Sequence, residues 1–222
     1  MGSVLLLGDS DNPDLVGELG ANLTKTMRAG LAVAHGLVVP IGKYVGYGMS
    51  NELLRKFDEL KFDKVILCAS LRETPEKYEV IGPVGRNNLI SAINYIQDNA
   101  KRRGEQSAII IQEYLDGEFR GKVHSLNPYT GERSEILIEV KLWANNSVLG
   151  NDEEPDMILV DKKDGTVSLE SNEEELVLEA SEVQKLYRAA KKMEKILKTP
   201  VTLDWGLVNG VLYILRTRQI NM

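Results

Sequence analysis

The chain has 222 residues, a formal net charge of −6, and 43% hydrophobic and 27% charged residues. This composition is typical of a soluble globular protein, and the length allows one large domain or two small lobes with a substantial core. The acidic balance argues against a nucleic-acid surface unless basic residues cluster. One such cluster, Lys101-Arg102-Arg103, ends a predicted helix, where cations complement the helix dipole.

The few cysteines and histidines and the short apolar runs argue against disulfides, zinc sites and membrane spans. Cys68 is the single cysteine, so no disulfide can form within the chain, and with only His35 and His124 beside it a zinc site is not expected. We therefore expect a reducing, cytoplasmic setting. No apolar run approaches the ~20 residues that span a bilayer, so no membrane partner is expected.

The first part of the chain predicts helices joined by short strands. Val4–Gly8 is apolar and of strand length, and Asn12-Pro13 then provides a cap and a first-turn proline for a helix that Gly30 ends. Asp63–Ser70 is an apolar run of buried-strand length, and the segment from Leu71 to Gly85 is expected to be a polar loop. Two further helices are predicted from apolar residues at helical spacing, one containing Leu53, Leu54 and Phe57 and the other, between Asn87 and Arg103, containing Leu89, Ile93 and Ile96.

After Gly104 the pattern changes to successive strands followed by one long helix. That helix is predicted to run from about Ser181, its cap, to Leu197. The order of elements indicates an α+β protein of two lobes with a cleft between them, residues 1–104 forming the first lobe and residues 105–222 the second. The predicted strands of the second lobe are Ala108–Glu113, Glu118–Ser125, Ser134–Leu142 and Met157–Asp161, and a terminal hairpin follows the helix.

The terminal hairpin, VTLDWGLVNGVLYILRTR from Val201 to Arg218, combines a core pattern with charges of opposite sign. Its odd-numbered residues are mostly apolar, whereas most of the even-numbered ones are polar. A two-residue turn at Asn209-Gly210 would pair odd with even positions and place the arginines beside Trp205. A three-residue loop, Val208–Gly210, keeps odd positions opposite odd ones, and we therefore expect that loop.

In the expected register, Asp204 shares one face of the sheet with Arg216 and Arg218, and Thr202 lies near them. A carboxylate and two guanidiniums on a half-apolar sheet face suit a nucleotide phosphate with its metal. The alternative is an ordinary cross-strand salt bridge, which contributes about 0.2–1 kcal/mol to stability. The hairpin taken alone favours the salt bridge.

Three stretches of the sequence occur in the order in which one enzyme family has similar motifs. They are LVGELGANLTKTMRAGLAVAHGLVV (Leu15–Val39), AIIIQEYLDGEFRGKVHSLNPYTGER (Ala108–Arg133) and LDWGLVNGVLYILRTRQI (Leu203–Ile220). The first resembles the Gly-Gly-Lys-Gly-Ala-Asn-Leu opening of pyruvate phosphate dikinase and phosphoenolpyruvate synthase. The second resembles their nucleotide-hinge strand and Asn-Pro-x-Thr-Gly turn, and the third their closing Gln-Thr-Arg segment. The whole chain thus resembles a compact form of that family's N-terminal nucleotide-binding domain.

This resemblance implies an ATP-grasp type fold whose two lobes hold ATP and Mg²⁺. In the family this domain transfers a phosphoryl group from ATP to a histidine on a separate swivelling domain, so a partner that carries a phosphohistidine domain is implied. The implied site residues are the adenine-side hinge Gln112, Glu113, Tyr114 and Leu115, the phosphate-side turn residues Ser125 and Asn127, the metal- and phosphate-side acid Asp204, and the arginines Arg216 and Arg218.

The sequence also departs from the family at cationic positions. Leu19, or a short deletion, stands where the family has its Gly-Gly-Lys lysine, and Cys68 stands where it has the arginine of Val-Arg-Ser-Ser. Losing both cations removes charge that positions and stabilises a transferring phosphoryl group. Arg216 replaces the glutamine of Gln-Thr-Arg and so adds a cation to the second lobe. No histidine lies in a Thr-Ser-His setting, so a complete dikinase reaction by these residues alone is not expected.

Three functions remain open at this point. The first is a nucleotide-binding, phosphotransferase-type domain that acts with separate partner chains. The second is a degenerate, non-catalytic relative that keeps the fold as a regulatory or assembly module. The third is an altered ligand anchored by Arg216 and Arg218. For His124, which alternates within a predicted strand, we expect a structural role.

Overall fold

The computed structural model describes residues 3–73, 79–143, 154–170 and 178–220. The chain divides into two compact units, the first made of Met1–Arg28 and Ala34–Leu115 and the second of Ala29–Val33 and Asp116–Met222. Helices with short strands make up the first unit, and a mainly antiparallel sheet with a long helix makes up the second, as the sequence predicts.

The first unit is built on a five-stranded antiparallel sheet flanked by helices. Its strands are β1 (Leu5–Leu6), β2 (Gly36–Val39), β3 (Lys64–Ser70), β4 (Val80–Gly85) and β5 (Ala108–Glu113). Their order across the sheet is β1-β2-β5-β3-β4, so β5 is the central strand. The helices are α1 (Pro13–Arg28), α2 (Tyr47–Glu59) and α3 (Leu89–Arg102), and a 3-10 turn (Arg86–Asn88) precedes α3.

The core of the first unit forms on both sides of β5, because this strand is apolar on both faces. Ile109 and Ile111 are fully buried in a cluster with Leu53 of α2 and Ile93 of α3. Ile110 points to the opposite face, where its Cδ1 lies 3.0 Å from the place a Cβ on Gly20 of α1 would occupy. An apolar run of this kind is typical of a strand covered on both faces.

The strand β5 also places the division between the units later than the sequence pattern does. The sequence puts the boundary between residues 104 and 105, where the pattern changes. In the structure β5 pairs with β2 and β3 along its length, so the first unit continues to Leu115. The short segment Ala29–Val33 belongs to the second unit, where the amide of Ile214 donates a hydrogen bond to the carbonyl of Ala32 at 2.8 Å.

The second unit is a six-stranded antiparallel sheet with one long helix, α4 (Ala180–Leu197). Its strands are β6 (Phe119–His124), β7 (Glu135–Leu142), β8 (Asp156–Asp161), β9 (Val167–Glu170), β10 (Val201–Val208) and β11 (Val211–Gln219). Their order is β11-β10-β6-β7-β8-β9. Val123, Ile138 and Leu203 share one face by register and are completely buried. Since α4 lies against the strands that carry them, we assign it to this apolar face.

Two local expectations are wrong, and one strand was not predicted. The segment expected to be a polar loop contains β4, where Pro83 is tolerated because β4 lies at the sheet edge and needs no donor on its outer side; residues 74–78 of that segment lie outside the described ranges. The strand β9 was not predicted. The cap of α4 is Glu179 rather than Ser181, because Glu179 and Glu182 form a reciprocal capping box.

Candidate functional site

The two strands of the terminal hairpin are joined by a tight turn. Val208 pairs with Val211, so only Asn209 and Gly210 form the connection, and both have positive φ, 50° and 73°. Positive φ at both central residues is typical of a type I′ turn, whose twist matches that of the flanking strands. Asn-Gly is a preferred sequence for this turn. The expected three-residue loop is therefore wrong.

A bulge farther along the hairpin nevertheless brings the predicted charges together. Trp205 lies opposite Ile214, whereas Asp204 lies opposite Arg216, so β11 carries one extra residue, Leu215, at this point. The bulge reverses the odd-even pairing that the short turn creates. Beyond it Thr202 lies opposite Arg218, on the same face as Asp204.

Asp204 is engaged by both arginines. Its Oδ1 accepts a hydrogen bond from Nη2 of Arg218 at 2.7 Å, and its Oδ2 lies 3.7 Å from Nη1 of Arg216. The carboxylate side chain is 17% exposed and the guanidiniums 30% and 26%, so water screens these contacts only partly. One carboxylate held between two guanidiniums leaves a net positive charge.

Arg218 has a second nitrogen donor, Nε, to which Asp204 does not bind. Its Nε is buried and has no hydrogen-bond acceptor among the described residues. A buried donor of a charged group without an acceptor is costly, so an acceptor supplied by a ligand would be stabilising. An anionic oxygen is the acceptor that a guanidinium prefers.

Around Asp204, one part of this face of the second sheet, called here the polar face, has an excess of positive charge. Across β7, β6, β10 and β11 the register produces three neighbouring rows of side chains. These rows contain five cations and two carboxylates, whereas the chain as a whole has a net charge of −6. The rows read Lys141–Arg120–Gly206–Tyr213, Glu139–Lys122–Asp204–Arg216 and Leu137–His124–Thr202–Arg218.

Next to the arginines, a buried hydrogen-bond network surrounds His124. Its Nδ1 lies 3.0 Å from Oγ1 of Thr202 and its Nε2 lies 3.2 Å from Oε1 of Glu139. The hydroxyl of Tyr129 donates to the same Glu139 oxygen at 3.1 Å, and Nζ of Lys122 lies 3.8 Å from Oε2. Both ring nitrogens of His124 thus lie within hydrogen-bond distance of neighbouring side chains, and the ring is buried.

The network shifts the acid-base properties of two of its members. Burial raises the pKa of the Glu139 carboxyl, but the hydrogen bond and charge of His124, the charge of Lys122 and the Tyr129 hydrogen bond together bring that pKa below its usual 4.5. Burial raises the pKa of Tyr129, and the adjacent negative charge of Glu139 raises it further. Glu139 therefore stays ionised on the polar face at neutral pH.

Of the predicted turn residues, Ser125 and Asn127 make local contacts. Ser125 is completely buried, and its Oγ accepts a hydrogen bond from the amide of Val201 at 2.9 Å. The Oδ1 of Asn127 accepts hydrogen bonds from the amides of Tyr129 and Thr130, so this side chain organises the turn. The phosphate-side role expected for both residues stays a prediction.

The predicted hinge, Gln112 to Leu115, lies at the end of β5 in the first unit. The amides of Glu113 and Tyr114 each donate at 2.9 Å, to the carbonyls of His35 and Lys64 respectively. The side-chain Nε2 of Gln112 is buried and has no acceptor among the described residues. An orphaned amide donor of this kind fits a hydrogen-bond acceptor on a ligand, such as a ring nitrogen of a purine.

The two positions where the sequence departs from cationic motifs are buried in the first unit. Leu19 is 1% exposed and Cys68 is 4% exposed. Gly17 has φ 69° and interrupts α1, and a Cβ there would lie 2.2 Å from Oγ of Ser70. A glycine is therefore required at position 17.

The surroundings of Asp204 do not suit the metal role expected for this residue. Mg²⁺ prefers an octahedral set of oxygen ligands and usually keeps several waters beside one or two carboxylates. Both carboxylate oxygens of Asp204 already lie beside guanidiniums, which would repel a divalent cation. Over the described ranges, no group of three or more His, Cys, Asp or Glu side chains could hold a metal ion.

Sequence reasoning missed several members of the polar face. Arg120, Lys122, Glu139 and Lys141 were not singled out, although each falls on the polar side of a predicted strand with a period of two. That alternation was a usable signal. What it could not supply was the pairing of β6 with both β7 and β10, which joins the charges of the separate strands into one face.

Two curated proteins show sequence similarity to this chain. The chain is 21% identical over 290 residues to an uncharacterized phosphotransferase, YvkC, of Bacillus subtilis (strain 168), covering 99% of this chain and 35% of that protein. It is 26% identical over 136 residues to a probable phosphoenolpyruvate synthase of Methanothermobacter thermautotrophicus, covering 51% of this chain and 20% of that protein. The chain thus spans about a third or less of the length of either relative. No family model matches the chain.

Solved structures share the fold at low sequence identity. A D-alanine–D-alanine ligase from Bacillus anthracis complexed with ATP superposes with a TM-score of 0.52 at 13% identity, covering 96% of this chain and 57% of that one. The VanG D-Ala:D-Ser ligase from Enterococcus faecalis gives 0.55 at 10% identity, covering 96% and 54%. A biotin carboxylase–β,γ-ATP complex from Campylobacter jejuni gives 0.55 at 13% identity, covering 90% and 40%.

These likenesses confirm the predicted fold class. The chain has the α+β ATP-grasp fold, with four helices and two antiparallel sheets in the part of the chain that the structure describes. In that part no helix has both the length and the apolar character that a membrane span requires.

Proposed function

We propose that this chain is an ATP-binding module of a phosphotransferase system, and that its polar face binds the phosphate groups of the nucleotide. The proposal combines the ATP-grasp fold with the sequence similarity to a phosphotransferase and to a probable phosphoenolpyruvate synthase. Fold alone does not establish function, so the side chains of the polar face must carry the argument.

The observation that carries the proposal is the arrangement of Arg216 and Arg218 around Asp204. Two guanidiniums converge on one carboxylate on a cationic sheet face, and the Nε of Arg218 is a buried donor without an acceptor among the described residues. Guanidiniums bind phosphate oxygens with charge-assisted, often bidentate hydrogen bonds. An ordinary salt bridge would leave neither the excess charge nor the unused donor.

A separate proposal is that the hinge Gln112–Leu115 of the first unit recognises adenine. The amides of Glu113 and Tyr114 already donate to the carbonyls of His35 and Lys64, so the unused hinge donor for a base is Nε2 of the Gln112 side chain. The unused amide donor of Gln112 supports a role for this side chain. Because ring nitrogens and exocyclic amines differ between bases, contacts of this kind would favour adenine over other bases.

Phosphoryl transfer is a separate question, and a second candidate function is a nucleotide-binding module without catalysis. The presence of Leu19 and Cys68 where the resembled motifs have cations favours this second candidate, because neither residue type carries a positive charge to stabilise a phosphoryl group. If transfer occurs, the acceptor would be a histidine on a separate domain or chain. In that case Ser125 and Asn127 would help to shape the phosphate side of the site.

Calorimetric titration tests the binding proposal directly. The wild-type protein is titrated with ATP, ADP and AMP, and so are Arg218→Ala and Arg188→Ala, the latter removing an exposed arginine on α4 as a matched control. We expect saturable ATP binding, weakened about tenfold or more only by Arg218→Ala. A folded wild-type protein that binds none of the three nucleotides contradicts the proposal.

Nucleotide turnover separates the two candidate functions. The protein is incubated with ATP, with and without a phosphohistidine-domain protein as acceptor, and the release of ADP and AMP is measured. Binding with ATP consumption that depends on the acceptor supports the phosphotransferase function. Binding without any consumption supports the non-catalytic module.

A further inference from the structure

We infer that the phosphate site on the polar face binds a nucleotide polyphosphate without a divalent cation, with Arg216 supplying the positive charge that a metal ion would otherwise bring. This inference rests on the proposed function and specifies its ligand: the free, metal-uncomplexed polyphosphate chain. It follows from the charges and contacts around Asp204.

The carboxylate of Asp204 is already engaged by two guanidiniums. A carboxylate binds a divalent cation when its oxygens are accessible and its neighbours are neutral or acidic. Here each carboxylate oxygen of Asp204 contacts a different guanidinium: Oδ1 lies 2.7 Å from Nη2 of Arg218 and Oδ2 lies 3.7 Å from Nη1 of Arg216. A cation would have to displace one guanidinium and would then lie beside both positive charges.

A polyphosphate bound at these three rows of side chains would lie among more cations than carboxylates. The same three rows of side chains supply Arg120, Lys122 and Lys141 in addition to the two arginines, against the carboxylates of Asp204 and Glu139. Glu139 is not available to a metal either, because its oxygens face His124, Tyr129 and Lys122. Within these three rows of side chains, cations thus outnumber anions.

Phosphate oxygens can also accept hydrogen bonds, which a metal ion cannot do. They are acceptors, and the Nε of Arg218 is a buried donor that no described residue satisfies. A phosphate oxygen competes with Asp204 for the guanidiniums, and once the Arg218 side chain turns towards it this oxygen also accepts a hydrogen bond from Nε. A metal ion offers no acceptor, so it can do neither.

The experiment compares ATP binding by calorimetry in EDTA and in excess Mg²⁺, for the wild-type protein, Arg216→Gln and the control Arg188→Gln. We expect wild type and control to bind ATP in EDTA within about threefold of their affinity in Mg²⁺. We expect Arg216→Gln to bind ATP in EDTA about tenfold more weakly and to recover affinity when Mg²⁺ is added. Thermal unfolding of each variant verifies that it is folded.

The outcomes separate this inference from the proposed function. If wild-type protein binds ATP in Mg²⁺ but loses about tenfold or more of its affinity in EDTA, the inference is overturned while the proposed function stands. If ATP binds under neither condition, both fail. If Arg216→Gln is folded and binds ATP in EDTA as wild type does, Arg216 does not replace a metal and the inference fails. The wild-type comparison decides the matter even if the variant does not fold.

Discussion

Asp204 lies directly opposite Arg216 because β11 contains one more residue than β10 between the hairpin turn and this pair. The extra residue, Leu215, cancels the odd-even offset that the two-residue turn at Asn209-Gly210 introduces. Without the bulge, Asp204 would face Leu215, and the guanidinium of Arg216 would point to the apolar face. The bulge thus places Arg216 and Arg218 on the same face of the sheet as Asp204.

The first prediction concerns Asp204→Asn. If Asp204 serves to hold the two guanidiniums rather than a metal, removing its charge frees them for phosphate, so the affinity for ATP in EDTA should rise about threefold to tenfold. Calorimetry measures this change. Stability should fall by about 0.5–1 kcal/mol or less, since the pair is partly exposed. If Asp204→Asn binds ATP about tenfold more weakly than wild type in excess Mg²⁺ but not in EDTA, the carboxylate holds a cation instead.

The second prediction concerns the orphaned amide of Gln112. In Gln112→Met the buried donor is replaced by an apolar group of similar length, so the variant should be as stable as wild type or more stable. If the amide binds adenine, the affinity for ATP should fall about tenfold while that for inorganic tripolyphosphate is unchanged. Parallel titrations with the two ligands give the result. Equal losses for both would assign Gln112 to structure and not to base recognition.

The third prediction is a pH dependence set by Glu139. Because the pKa of Glu139 is lowered in the folded protein, its stabilising contribution is complete above the unfolded pKa of about 4.5 and is lost as the pH falls through the folded pKa. Glu139→Gln should therefore destabilise the protein by about 1–3 kcal/mol near neutral pH and by clearly less in acid. Urea unfolding at several pH values measures both. A difference between variant and wild type that does not depend on pH would contradict the network described around His124.

The fourth prediction tests the packing beneath the polar face. A Cβ on Gly121 would lie 1.8 Å from the carbonyl oxygen of Glu139 and 3.0 Å from the indole of Trp205. Since β6 is paired on both sides, the backbone cannot move away, and Gly121→Ala should cost about 3 kcal/mol. Gly48→Ala is the control, because nothing lies within 4 Å of a Cβ on that exposed helical residue. Equal unfolding midpoints for the two variants would show that the sheet tolerates a shift at Gly121.

The elements that the sequence predicted well are those with a strong local signal. Ala108–Glu113 was predicted with the bounds of β5, because an uninterrupted apolar run gives both its type and its length. The helix α4 was placed within a residue of its ends by its apolar stripe. Its cap was misassigned because a serine is the commoner capping residue, whereas here Glu179 and Glu182 cap each other's backbone.

The site was predictable only in part, because it depends on register. The grouping of Asp204 with Arg216 and Arg218 was expected, but the expectation was based on a three-residue loop that the structure does not have. The grouping instead results from a bulge at Leu215, which has no clear sequence signal. The contacts of His124 with Thr202 and Glu139 join three strands. No local pattern specifies which strands become neighbours in a sheet, so this network could not be read from the sequence.

The most direct test of ATP binding on the polar face is a two-dimensional amide NMR titration of the labelled protein with ATP. If ATP binds there, we expect saturable shifts in β10 and β11 around Asp204, Arg216 and Arg218, smaller shifts in Arg218→Ala, and unchanged signals on the exposed side of α4 around Arg188. Saturable shifts confined to other parts of the chain, or none at millimolar ATP, would contradict the proposed binding.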